Sequence, residues 1–181
     1  MARYGMPFFL EDKSGDITGS DYADHYSRLS FSLRCTRRDQ DHMVFMIYDL
    51  LSNSSSSRHH LTVPVACFDF GHNHSLGTVK IGDGCPVEIN QYLVKVNRKM
   101  RRFLASDKQE YRWTHQPECD PVWQCTNSSG YDVASYSLKL PGENYTNSSG
   151  CVLTIDEQYS HIAGELLLTL TLMRHIAKYN L

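Results

Sequence analysis

The last twenty or so residues carry one long helical pattern whose centre is apolar on nearly every side. Leu166, Leu167, Leu168, Leu170, Leu172 and Met173 are interrupted only by Thr169 and Thr171. A surface helix keeps a polar stripe about half its circumference wide. None is present here, so the helix must be buried, and the two threonine hydroxyls can bond back to carbonyls one turn earlier. A bilayer is excluded as the burying medium: spanning takes about 20 apolar residues, whereas Glu165 and Arg174 bracket a run of eight. Each large side chain placed in a protein core instead contributes about 1.5 to 3 kcal/mol. The helix is expected over about residues 159–179, carrying much of the stability.

What buries it is read from the rest of the chain. Strand-length runs rich in β-branched and aromatic residues occur at 30–35 (SFSLRC), 42–51 (HMVFMIYDLL), 61–70, 76–81, 86–90 with 92–96, 110–114, 122–126, 132–140 and 151–155. Polar turns separate them at 71–74, 82–84, 127–130 and 141–150, and 53–60 (NSSSSRHH) is a loop. Many short strands with one terminal helix predict a mainly β protein, a closed antiparallel barrel around the hydrophobic helix, because closure removes exposed strand edges. The 181 residues suffice for one domain with a full core. Residues 28–181 are assigned to the barrel and 1–27 to an N-terminal extension packed on it or part of it.

The compartment is read from the N-terminus and the thiols. Residues 6–10 are apolar but broken by Pro7 and followed at once by Glu11 and Asp12, so no signal peptide is read and a cytoplasmic location is expected. The sequons at Asn53, Asn73, Asn127, Asn144 and Asn147 then serve as polar turn residues, and the six cysteines are expected to stay reduced.

Several pieces form an ordered signature: Phe103, Ser106 and Asp107, then Tyr111 and Trp113, in an F-x-x-S-D-x-x-x-Y-x-W spacing, followed by 122–125 (VWQC), 133–136 (VASY), 152–155 (VLTI) and the closing Leu/Thr helix. Over about residues 28–178 this resembles a fungal domain of unknown function with a tubby-like fold. In tubby, phospholipid-scramblase and LURP-one-related proteins, a barrel of about twelve strands wraps a central C-terminal helix. The resemblance implies a module that binds a membrane surface or phosphoinositide, with a transcriptional or scaffold role as a further expectation. It carries over no catalytic residue. Its pattern usually has Gly after the Ser-Asp pair, where this chain has Lys108, so that hairpin is expected to be longer or differently shaped.

Local chemistry points the same way. Segment 95–102 (KVNRKMRR) sets Lys95, Arg98, Lys99, Arg101 and Arg102 within eight residues of a chain whose formal charge is −2. Cations beside an anionic leaflet are worth about 1 kcal/mol each, and Arg forks match phosphate oxygens. The plainer reading is a solvated connection that blocks edge pairing. Arg34, Arg37 and Arg38 form a weaker cluster that Asp39 and Asp41 can neutralise. Nucleic acid is not expected: the chain is near-neutral and lacks helix-turn-helix, zinc-finger, RRM and basic-zipper patterns.

Catalytic and metal signatures are weak. Cys67, Asp69, His72 and His74 lie close in sequence, with His59 and His60 before them, but at no spacing diagnostic of a metal. No G-x-S-x-G elbow occurs, and no cysteine is placed by motif beside a histidine. The expectation is a binding module for anionic lipid headgroups, without cofactor or metal. A small-molecule enzyme with a pocket at a barrel mouth and a protein-interaction scaffold are the alternatives.

Overall fold

The computed structural model describes residues 5–39, 42–51, 63–138 and 148–181. The 53–60 loop, His59, His60, Asp41 and the sequons at Asn53, Asn144 and Asn147 lie outside the described residues, as do parts of the 61–70, 132–140 and 141–150 segments.

Among the described residues, thirteen strands form one antiparallel sheet. They are β1 (Phe8–Asp12), β2 (Gly19–Asp24), β3 (Ser30–Arg38), β4 (Met43–Asp49), β5 (Ala66–Phe70), β6 (Leu76–Ile81), β7 (Val87–Glu88), β8 (Val94–Lys95), β9 (Met100–Leu104), β10 (Glu110–His115), β11 (Trp123–Asn127), β12 (Asp132–Ser137) and β13 (Cys151–Ile155). Strands adjacent in sequence are adjacent in the sheet except β7 and β8, and β1 also pairs with β13, from Phe8 opposite Ile155 to Asp12 opposite Cys151. The chain's two ends thus meet in the middle of the sheet. Residues 8–24, assigned from sequence to an extension, supply β1 and β2 between β13 and β3.

The expected closure is not made. The ladder runs from β7 at one edge to β8 at the other, each two residues long. Between them the chain forms α1 (Ile89–Tyr92), which buries Ile89, with Leu93 buried just after it. Arg101, also buried, donates to the Leu93 carbonyl and to Asn90 Oδ1, both at 3.2 Å. A plug of side chains therefore seals the seam where a barrel would have backbone hydrogen bonds.

The sheet curls about α2 (Ala163–Tyr179), which touches β4 and β5 on one side and β10 on another. Residues 165–173 are all buried, as the apolar circumference requires. Thr169 Oγ1 and Thr171 Oγ1 bond to the carbonyls of Glu165 and Leu167, each at 2.8 Å. The first residues expected in the helix instead form a 3-10 turn, Glu157–Ile162, entered where the Asp156 carboxylate accepts from the Gln158 amide. Asn180 ends α2 in the left-handed conformation, its amide bonded to the Ile176 carbonyl. Among the described residues, no helix is long and apolar enough to cross a membrane.

Two polar anchors hold the helix in register. Near its N-terminal end, the Glu165 carboxylate accepts from the Ser106 amide at 3.1 Å and from the Ser106 hydroxyl, and Trp113 Nε1 donates to Thr169 Oγ1 at 2.8 Å. Near its C-terminal end, Arg174 reaches the fully buried Asp12 at 3.2 Å and the Gly15 carbonyl at 2.7 Å. Asp12 also accepts from Ser20 (2.5 Å), Tyr22 (3.1 Å) and Tyr136 (2.7 Å), tying β1, β2, β12 and α2 together. Burial, then the Asp12 charge, raises the Tyr22 phenol, and both phenols stay neutral donors.

Candidate functional site

The β8–β9 hairpin divides the basic segment into two kinds of cation. Arg101 points inward on β9, and burial lowers its pKa from the ordinary arginine value. Arg102 faces out and is ion-paired with Glu110 across β10 at 2.9 Å. Lys95, Arg98 and Lys99, at and beside the turn, are exposed, and among the described residues they have no ion-pair partner. Segment 95–102 is thus one structural arginine, one paired arginine and three solvent-facing cations.

The fold gives those cations company. Arg98 and Lys99 border a cavity whose other wall is the last turn of α2, including Ile176 and Ala177. On another side of that turn, Arg38 at the end of β3 and Lys178 line a smaller, more enclosed space with His74 and His175. The weaker arginine cluster is dispersed: Arg34 pairs with Asp21 at 2.6 Å and Arg37 with Asp39 at 3.1 Å, while Arg38 joins the mouth. The C-terminal end of α2 is therefore ringed by Arg38, Arg98, Lys99 and Lys178. Asp49, Asp107, Asp156 and Glu157 cluster near its N-terminal end. This polarity complements the helix macrodipole, at about 0.3 to 1 kcal/mol per charge.

Two histidines sit inside the basic mouth. His175 stacks on Phe70 with ring centroids 3.4 Å apart and bonds through Nε2 to the His74 carbonyl at 2.8 Å. Burial pushes its pKa down to about 4. His115 stacks on Trp123 at 4.0 Å, and burial together with nearby Lys99 lowers its pKa as well.

The weak metal candidates are not assembled. Cys67 and Asp69 share the outer face of β5, as alternation demands, and Asp69 is occupied by the Thr78 amide (3.1 Å) and hydroxyl (2.6 Å) at a bulge against β6. His72 and His74 lie in the following 3-10 turn, and the His74 ring stacks on Tyr179 instead. Among the described residues no three His, Cys, Asp or Glu side chains converge.

The F-x-x-S-D-x-x-x-Y-x-W signature has a structural account. Phe103 packs beside Tyr111, Ser106 binds Glu165, and Trp113 binds Thr169 one helical turn on. Asp107 accepts from Tyr111 at 2.6 Å and contacts His161 at 3.2 Å. Burial opposes its ionisation, but those bonds and one from the Gln109 amide hold its pKa below the usual range. The hairpin is tight rather than long. The Lys108 amide bonds to the Ala105 carbonyl at 2.9 Å, the Ala105 amide bonds to the Gln109 carbonyl at 3.0 Å, and Lys108 itself adopts φ +63°. Signature residues therefore dock the central helix, which is why they mark the fold and leave the activity unstated.

No curated protein and no solved structure matches the chain. A family model does match, over residues 31–178, a span that includes the docking hairpin, the basic segment and nearly all of α2. The chain belongs to that family, DUF6593, a family of unknown function.

Proposed function

We propose that the protein is a non-enzymatic module that binds anionic membrane surfaces through the basic mouth at the C-terminal end of α2. The observation that carries this reading is the gathering of Arg38, Arg98, Lys99 and Lys178, with Lys95 beside them, from segments far apart in sequence. Complementing the helix pole, equivalent to about half a charge, needs far fewer cations. At about 1 kcal/mol per cation near an anionic leaflet, five contribute roughly three to four powers of ten in affinity. Val96, half exposed at the hairpin turn, adds an apolar contact beside the charges. The helix within a strongly curled sheet also suits the tubby-like plan, whose membrane association supports the same reading by analogy.

The test is co-sedimentation with vesicles containing phosphatidylserine or phosphoinositide. Replacing Lys95, Arg98 and Lys99 together by Glu is expected to abolish association and to leave Tm within a few degrees, since exposed charges add little to folding. Wild-type binding is expected to be strong at low salt and nearly lost at half-molar salt. Wild-type protein that ignores these vesicles at low salt overturns the reading.

The seam favours a second reading, a protein-interaction scaffold. Val87, Val94 and Leu104 are exposed around a groove of about 520 Å³ floored by Tyr92 and Phe103. Partner capture lost on Leu104→Asp but kept by the triple charge reversal would select it.

A further inference from the structure

The basic mouth contains a cavity as well as a surface. About 260 Å³ of space lies between the β8–β9 turn, the facing ends of β10 and β11, and the last turn of α2. Its lining is divided by chemistry. Arg98 and Lys99 form one side and project from an exposed turn, whereas Trp123, Met173 and Ile176, all buried core residues, form the floor. The Trp123 ring stacks on His115, which also lines the space, so this part of the wall is a fixed aromatic pair. A fully solvated charge cluster would lack this floor, and an ordinary packing defect would lack the cations.

Magnitudes indicate what the cavity can hold. Its volume equals roughly eight or nine waters and falls just below the usual range of about 300 to 1,000 Å³ for drug-sized ligands. A nucleotide or a folded peptide is too large. The helix end opposes anions by a pole of about half a charge, partly quenched because the Asn180 and Leu181 amides both bond to the Ile176 carbonyl. The two full positive charges at the rim exceed that pole. An apolar floor under a cationic rim suits a molecule with an anionic end and a short hydrophobic body.

We propose that this cavity binds one small amphiphilic anion, a phosphate or carboxylate head set against Arg98 and Lys99 with a short apolar body packed against Trp123, Met173 and Ile176. The proposal rests on the anionic-surface reading for the role of the two cations, but it adds a stoichiometric site with a hydrophobic requirement. Such a head could belong to a membrane lipid or to a soluble metabolite, and the two sources share this chemistry.

Octyl phosphate below its micellar concentration is the probe, titrated calorimetrically into the full chain beside inorganic phosphate and octanol. Binding of one octyl phosphate per chain is expected, at least about tenfold tighter than either fragment. The double variant Arg98→Gln, Lys99→Gln is expected to weaken it by about tenfold or more. Ala177→Phe, an exposed position on the cavity wall, is expected to fill the space and abolish octyl phosphate binding while vesicle association persists. Equal affinity for phosphate and octyl phosphate, or binding unchanged in the Ala177→Phe variant, overturns the cavity site. Vesicle association lost in a protein that still binds octyl phosphate overturns the surface reading alone. Competition by phosphatidate vesicles against octyl phosphate identifies a lipid source, and its absence a soluble one.

Discussion

Lys108 occupies a position that a side chain resists. At φ +63° its Cβ crowds the following carbonyl, a cost of roughly 1 to 2 kcal/mol for an L-residue. The turn keeps its shape because both ends are anchored, Ser106 on Glu165 and Asp107 on Tyr111. Lys108→Gly relieves the strain but adds about 0.5 to 1 kcal/mol of unfolded-chain entropy, so a net gain of up to about 1.5 kcal/mol is expected in denaturant unfolding. His175 makes a second prediction, about pH. Its folded pKa is about 4 and its unfolded value about 6.5. Between these the unfolded chain binds a proton that the native chain refuses, so stability is full above pH 6.5 and falls as pH drops toward 4. The slope is at most about 1.4 kcal/mol per pH unit. His74, Lys178 and Tyr179 crowd the same ring, and none supplies a carboxylate to favour the charged form. His175→Gln is expected to lower Tm at pH 8 through lost stacking, yet to flatten the Tm profile between pH 6.5 and 4.5. An unchanged slope would assign that pH dependence elsewhere.

Among the elements, the junction of β1, β2 and α2 carries the largest single polar commitment. Asp12 is fully buried and Arg174 nearly so. Breaking a buried pair by removing one partner costs about 3 to 5 kcal/mol. Asp12→Ala is therefore expected to cost about that much in chemical denaturation, and adding Arg174→Met should recover part of it by removing the orphaned charge. If the double variant is no more stable than the single, the pair is not the source of the loss. The same junction explains what the sequence concealed. The buried helix was legible because its leucines are apolar on every side, and most strands because they alternate or run apolar. β2 (GSDYAD) was invisible because its inward residues Ser20, Tyr22 and Asp24 are polar, serving Asp12 and Arg28 instead of a greasy core. β1 was hidden by its two acids, one of which is the buried anchor. β9 (MRRFL) was masked as part of a charge run, since Arg101 occupies an inward position where alternation requires an apolar side chain. The basic segment was found by charge density, but density cannot distinguish the structural arginine from the three solvent-facing cations. Arg38, legible only as part of the weaker 34–38 cluster, and Lys178, which no linear pattern marks, join the mouth through tertiary folding.

For the molecule as a whole, the open seam sets where the structure gives way first. A closed barrel distributes its backbone bonds evenly, whereas here two-residue edge strands meet across α1, and side chains of Ile89, Leu93 and Arg101 close the gap. Opening there uncovers Ile89 and Leu93 at the margin of the core. Opening at β1 and β13 instead cuts the sheet in its middle and uncovers α2. Local unfolding free energies should therefore rise from the seam toward that central pair, with the slowest amides near the global limit. Hydrogen exchange is expected to protect residues 87–96 least among the paired strands and residues 166–173 most. Arg101→Met tests whether the guanidinium latches the seam. It removes the bonds to Asn90 and to the buried Leu93 carbonyl, and an unsatisfied buried acceptor costs about 1 to 3 kcal/mol. That loss should appear mainly as faster exchange across 87–95, with residues 166–173 still exchanging last and the cooperative melt retained. Acceleration spread evenly over the sheet would mean that the seam is not a separate opening unit, and that the thirteen strands behave as though the sheet were closed.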